Sequence, residues 1–377
     1  METTGTQTQL SLAAAQAVRT YAATTRSALG TAEASVISYA GLWLLLASLA
    51  TAAKAEVEEA LGLSRTDARA AALALLEEPH PTVAAAVSGW LRPGVELYEG
   101  LPIRLDPLPD QTSLDAWAEE NTRGLIRRFP LQIDAQTLLV LASALVVSPR
   151  WSEPLEHDDD GRLLLEGGFQ AVVETDAAGP VAVACPPSDD AIAVFSVIAD
   201  PAVPAEDVWR ASEEVVLRFD AHELRNHAFD VPGSGDGHAW TVREVTVAGP
   251  APSERWRSHL PEWKAESDHD LANAPGVAQI ADGVESAIAG AGGDDSSETS
   301  PETETVCLQK AVASYDREGF EAAAVTAMMT RAAAAVPQEK TVREVDLRFD
   351  RPHAVVAVAR GGAWEGIPLF HSWVTPA

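Results

Sequence analysis

Cysteine is nearly missing from this chain, and its scarcity excludes two classes of protein. Cys185 and Cys307 are too few and too far apart to make a disulfide framework or a metal site of their own. Basic residues are scarce too: 27 Lys and Arg stand against 56 Asp and Glu, giving a net charge of −29 and a pI near 4.5. That balance argues against nucleic acid or an anionic membrane as partner and favours solubility and attraction to cationic proteins. Outside Arg127-Arg128 the basic residues do not cluster. Long apolar runs are absent: the longest, Gly41 to Ala53, is broken by Ser48 and Thr51 and is too short to span a bilayer. The first residues show no basic region followed by an apolar core, so no signal peptide is expected and the cytoplasm is the expected location.

Catalytic motifs are missing as well. His157-Asp158-Asp159-Asp160-Gly161 has its carboxylates in consecutive rather than alternate positions, which suits a solvated hairpin tip and not a calcium loop. His222 and His227 stand at i and i+5, whereas two zinc ligands on one helical face need i and i+4. Gly233-Ser234-Gly235-Asp236-Gly237 lacks the following Lys-Ser/Thr of a phosphate loop and reads as a flexible turn. No Gly-x-Ser-x-Gly nucleophile elbow occurs. An enzyme is therefore not expected, and neither a cofactor nor a metal is implied.

What is present is an apolar content of 46%, ample for a core. Residues 9–29 place Leu12, Ala15, Val18 and Ala22 at helical spacing and stop before Gly30. Ser35 to Ser38 reads as a short strand, followed by a helix with Leu42, Leu45, Leu46 and Leu49 on one face and an acidic helix closing at Leu61-Gly62. Ser64, with Asp67 three residues on, is a cap for a helix over 65–77. The apolar run 137–147 predicts a strand buried on both faces, with Trp151 as a large anchor at its end. Gly, Asp, Ser, Glu and Thr dominate 291–305, an expected acidic flexible loop. Strands are expected on both sides of the turn Gly361-Gly362, with His353 in the core rather than in a catalytic role.

The most informative stretch is 307–337. A strand runs up to Tyr315, and Asp316-Arg317-Glu318-Gly319 marks a turn. Beyond it come Phe320, Glu321, Ala322, Ala323, Ala324, Val325 and Thr326. Alanine is the best helix former, so propensity alone allows a surface helix over 321–335. The string Gly319-Phe320-Glu321-Ala322-Ala323-Ala324-Val325-Thr326, however, resembles the hinge of the reactive-centre loop of serpins. Three further segments resemble that family in order: Val36 to Gly62, Leu114 to Leu155, and Leu347 to Pro376. Within them Ser38, Gly41 and Ser143 fall on the shutter, the region that opens to admit the loop; the family has serine where this chain has Gly41 and asparagine where it has Ser143. His269-Asp270-Leu271 is a weak match to a family helix.

The resemblance implies an α+β serpin fold in one domain over 1–377, with three mixed or antiparallel sheets, about eight or nine helices and an exposed reactive-centre loop at 319–337. It implies a metastable, monomeric inhibitor whose partner is a serine peptidase. The peptidase cuts the loop, and residues 320–327 then enter the central sheet as a strand. Alternation places Phe320, Ala322, Ala324 and Thr326 on one face and Glu321, Ala323, Val325 and Ala327 on the other, so the uncharged set can be buried. The family has a small Thr or Ser at the position of Phe320; overpacking there is expected to cost about 1–3 kcal/mol and to slow insertion. The family's spacing points to a reactive bond at Ala333-Ala334, for an elastase- or subtilisin-like target. A short offset moves it to Arg331-Ala332, for a trypsin-like one. A non-inhibitory serpin-fold binding protein is the alternative.

Overall fold

The computed structural model describes residues 2–78, 80–97, 99–224, 226–233, 238–248, 252–289, 306–320 and 339–376. In chain order its elements are α1 (Glu2–Leu29), α2 (Tyr39–Leu49), α3 (Val57–Leu61), α4 (Arg65–Glu77), β1 (Val83–Leu91), β2 (Leu105–Pro107), α5 (Gln111–Asn121) and β3 (Leu139–Val147). Then follow β4 (Glu156–His157), β5 (Leu163–Leu165), β6 (Phe169–Thr175), β7 (Gly179–Cys185), β8 (Ile192–Ile198), α6 (Ala205–Asp220), β9 (Trp240–Ala248), β10 (Glu254–Leu260) and β11 (Trp263–Asp270). The last are α7 (Val277–Ala289), β12 (Leu308–Tyr315), β13 (Glu339–Arg348), β14 (His353–Ala359) and β15 (Pro368–Val374). The chain divides into two compact units that interleave along the sequence: Met1–Val147, Glu266–Val312 and Val358–His371 form one, and Ser148–Ala265, Ala313–Ala357 and Ser372–Ala377 the other.

The first unit is mostly helical. In α1 the buried stripe is Ala14, Ala15, Val18, Tyr21 and Ala22. Leu12, expected on that stripe, is 59% exposed, because the stripe that meets α2 and α4 passes it by. Helix α2 is apolar all round and buried at ten of its eleven positions, as a core helix must be. Ser64 caps α4 by accepting the Asp67 amide. In the sheet β2-β1-β3, β1 and β3 are antiparallel from Val83 opposite Val147 to Leu91 opposite Leu139. Helix α5 covers one face with Leu114 and Ala118 against Trp90, Phe129, Val140 and Ala142. The strand expected to be buried on both faces is buried on that one only. Leu139, Leu141, Ser143 and Leu145 alternate as half-buried positions on the other.

The second unit holds most of a sheet ordered β15-β14-β8-β7-β6. Every residue of β8 and of the His353–Ala357 portion of β14 is buried, the pattern of strands covered on both faces. Phe219 of α6 packs edge-on against Phe169 and Phe195. A further sheet, β4-β5-β10-β13-β9, has β13 between a parallel and an antiparallel neighbour. The hairpin β4–β5 confirms the turn at 158–161, although Asp158 points inward to His259. His269 and Asp270 close β11 rather than sitting on a helix: Glu266, Asp268 and Asp270 alternate with half-buried residues at period two, not at helical spacing. Seven α-helices and three short 3₁₀ turns occur among the described residues, against the eight or nine helices expected. Among the described residues the strands form four hydrogen-bonded groups, with β11-β12 and β2-β1-β3 separate, and these mixed and antiparallel sheets belong to the expected α+β fold. Residues 291–305 lie outside the described residues. No helix among the described residues is long and apolar enough to cross a membrane.

Candidate functional site

Ser38 opens α2 and carries several bonds at once. Its hydroxyl accepts the Gly41 amide at 3.1 Å as the helix cap and donates to the Leu369 carbonyl of β15 at 2.7 Å. Gln309 of β12 clasps the same residue: its carbonyl oxygen accepts the Ser38 amide at 2.9 Å, and its NH₂ donates to the Ser38 carbonyl at 2.8 Å. Ser143 of β3 donates its hydroxyl to the Gly41 carbonyl at 2.7 Å. The ring of Tyr39 meets His371 edge-on at 5.1 Å, and its hydroxyl pairs with Thr31 at 2.6 Å. A Cβ on Gly41 would stand 3.3 Å from the Ser38 hydroxyl, so glycine keeps this cap uncrowded.

The first turn of α2 therefore holds both β3 and β12 by side-chain bonds. Among the described residues, β3 has one strand neighbour, β1, and β12 has one, β11. An edge strand leaves a row of backbone donors and acceptors that another strand can pair with. Each bond at Ser38, Gly41 and Ser143 contributes only about 1 kcal/mol net, small enough to be exchanged for a full ladder.

The segment after β12 is built in the second unit. The Asp316 side chain accepts the amides of Glu318 and Gly319 at 2.8 and 3.1 Å, and its own amide donates to the Gly319 carbonyl at 3.0 Å. This is the local hydrogen bonding that favours aspartate at turns. Pro149 to Leu155 meets this turn: the Trp151 amide donates to the Glu318 carbonyl, the Leu155 amide to that of Arg317, and the Phe320 amide to that of Pro149. A Cβ on Gly319 would lie 2.4 Å from the Pro149 carbonyl oxygen, so only glycine allows so close an approach. Trp151, 4% exposed, donates its indole N–H to the Asp316 carbonyl at 3.0 Å and packs on Tyr315 with centroids 5.0 Å apart. Trp263 stacks on Tyr315 and meets Phe320 edge-on, each at 6.2 Å. Phe320 is 3% exposed. In the intact chain it occupies an aromatic pocket.

The other end of the same chain segment enters β13, whose Glu344 and Asp346 are buried on the strand face that carries Arg255 and Arg257 of β10 and Arg243 of β9. Arg255 and Arg257 reach Glu344 at 2.7 and 3.0 Å, and Arg243 reaches Asp346 at 2.6 Å. Burial alone would raise the pKa of Asp346, but His259, Arg257 and Arg243 together hold it below the ordinary carboxylate value. Asp346 first, and then Asp158, raise that of His259 above the ordinary value against its partial burial.

Solved structures resemble the chain over nearly its whole length. Thermophilic tengpin, a serpin solved in its native state, shares 15% identity at TM-score 0.61, over 95% of this chain and 93% of that one. Human kallistatin shares 16% identity at TM-score 0.64, over 97% of both chains. Human thyroxine-binding globulin, solved with thyroxine, shares 13% identity at TM-score 0.63, over 98% of both. This chain has the serpin fold. No family model and no curated protein matches it by sequence.

Within the serpin fold, the structure brings together Ser38, Gly41 and Ser143 in one cluster, and Gly319, Phe320 and Trp151 in another. Glu321, Ala322, Ala323, Ala324, Val325, Thr326, Arg331, Ala332, Ala333 and Ala334 lie outside the described residues, as does the helix that propensity allows over 321–335. Three participants escaped the sequence reading: Gln309, Trp263 and the buried charges of β13. The last left a signal in Arg255-x-Arg257 and Glu344-x-Asp346, complementary charges at strand spacing. Among the described residues no group of His, Cys, Asp and Glu could hold a metal ion.

Proposed function

We propose that this chain inhibits serine peptidases as a suicide substrate. The observation that carries the reading is the hinge. Gly319 and Phe320 are tied to Pro149, directly after β3, while β3 and β12 each offer an unpaired edge among the described residues. A peptidase attacks a bond in 321–338, the freed segment from Phe320 to Ala327 adds to the sheet as a strand, and the acyl-enzyme is carried away before water reaches it. Strand addition of this kind, serpin loop insertion included, is a general recognition mode. The parity that puts Ala322, Ala324 and Thr326 on one face and Glu321 on the other supports it, since burying Glu321 unpaired would oppose insertion. The reactive bond is Ala333-Ala334, with an elastase- or subtilisin-like partner; cleavage at Arg331-Ala332 would mean a trypsin-like one. The inhibitor acts as a monomer.

A second reading, a non-inhibitory binding or interaction protein, draws on one observation: Phe320 is already buried in the intact chain, whereas insertion requires the hinge to move. Incubation with trypsin, elastase and subtilisin in turn, followed by denaturing gels, separates the two. The inhibitor reading predicts a band of chain plus peptidase that survives denaturant, with a released peptide beginning at Ala334. Cleavage by all three without such a band favours the binding protein.

A further inference from the structure

We propose that Phe320 is a latch: it docks the start of the 321–338 segment in an aromatic pocket of the intact protein and sets how readily that segment can move. The inference rests on the inhibitor reading for its consequence, though not for its geometry. Tyr315 and Phe320 flank the Asp316 turn, and Trp263 touches both rings at 6.2 Å. Trp151 closes the row behind Tyr315. Such edge-to-face and stacked pairs are favoured beyond the apolar area they bury. Phe320 is fixed at the backbone as well, its amide 3.1 Å from the Pro149 carbonyl, while Gly319 lies against the same peptide. A serine or threonine at this position would have no large apolar surface to hold there. For the segment to enter a sheet, this ring must first leave its pocket, and that step is separate from the pairing of the alanines that follow. The latch therefore holds Phe320 docked in the intact molecule and governs the division between trapping and release after cleavage.

Hydrogen exchange of the full chain tests it through the Phe320 and Trp151 amides, which bond across the turn. Phe320→Ala, and independently Trp263→Leu, which empties the pocket from its other side, are expected to speed exchange at both amides by about tenfold or more. Amides of β14 should be unchanged, showing that the fold persists. Phe320→Leu, which refills the pocket, should restore most of the protection. Unaltered exchange at these amides in the folded Phe320→Ala and Trp263→Leu variants would overturn the latch. With a peptidase that the wild type traps, Phe320→Ala should lower the number of inhibitor molecules cut per peptidase trapped, and Phe320→Leu should return it toward the wild-type value. If no variant and no wild type traps any peptidase, the inhibitor reading falls, and the exchange result still decides the latch.

Discussion

On going from pH 8 to pH 5 the protein is expected to lose about 4 kcal/mol of stability through two histidines that fold in neutral form. His353 on β14 is fully buried, and its pKa is lowered to about 4 by that burial, with the Arg351 carbonyl and Asp350 pulling the other way. His371 on β15 is lowered to about 3, by burial first and by Arg26 second. In the unfolded chain each titrates near pH 6.5. A lowered histidine contributes stability that is fully present above pH 6.5 and is lost as pH falls from there toward the folded value. At pH 5 each therefore costs about 2 kcal/mol. His259 runs the other way, because its pKa is raised: its contribution is complete below pH 6.5 and fades above. His353→Phe isolates the effect. Urea denaturation at pH 8 and pH 5 should show the variant gaining about 2 kcal/mol over the wild type at the lower pH relative to the higher. An equal difference at both pH values would refute the assignment.

Trp151→Ala is expected to destabilise the protein by about 4 kcal/mol, within the range for truncating a buried aromatic side chain. Two losses combine. The indole vacates the space against Tyr315, and the Asp316 carbonyl loses its donor inside the turn. Trp151→Phe keeps the ring contact but not the N–H, so it should cost about 1–2 kcal/mol. Urea midpoints of the three proteins check the order. A loss below about 1 kcal/mol in the alanine variant would mean that Trp151 is not the anchor of this turn.

The strands 308–315, 353–359 and 368–374 were legible because apolar and β-branched residues run at strand length between turn residues. The cap Ser64 was legible because capping is local. Ser38, read as the end of a short strand, instead caps α2, and the strand is reduced to a single bridge from Ile37 to His371. Leu12 misled because helical periodicity identifies a candidate face, while the packing partners choose which one is covered. His269 was misplaced by a family match weaker than the alternation of its own neighbours. The β13 network was invisible for a different reason. Glu344 and Asp346 look like solvent-facing residues of an edge strand, and only pairing with strands about ninety to one hundred residues earlier supplies the arginines. The pocket for Phe320 is equally non-local: Trp263 lies on β11, and nothing near Gly319 in sequence announces it.

The proposed inhibition requires that a strand be added beside β3 or β12, each of which has one strand neighbour among the described residues. Melting scans of the intact protein, and of the protein cut once within 321–338 with both pieces retained, test this most directly. If the segment from Phe320 pairs with the sheet after cleavage, the cut protein should melt at a clearly higher temperature than the intact one, since new ladder bonds and buried apolar surface are gained. A cut protein that melts at or below the temperature of the intact one would contradict the account and leave the serpin fold in this chain as a binding scaffold.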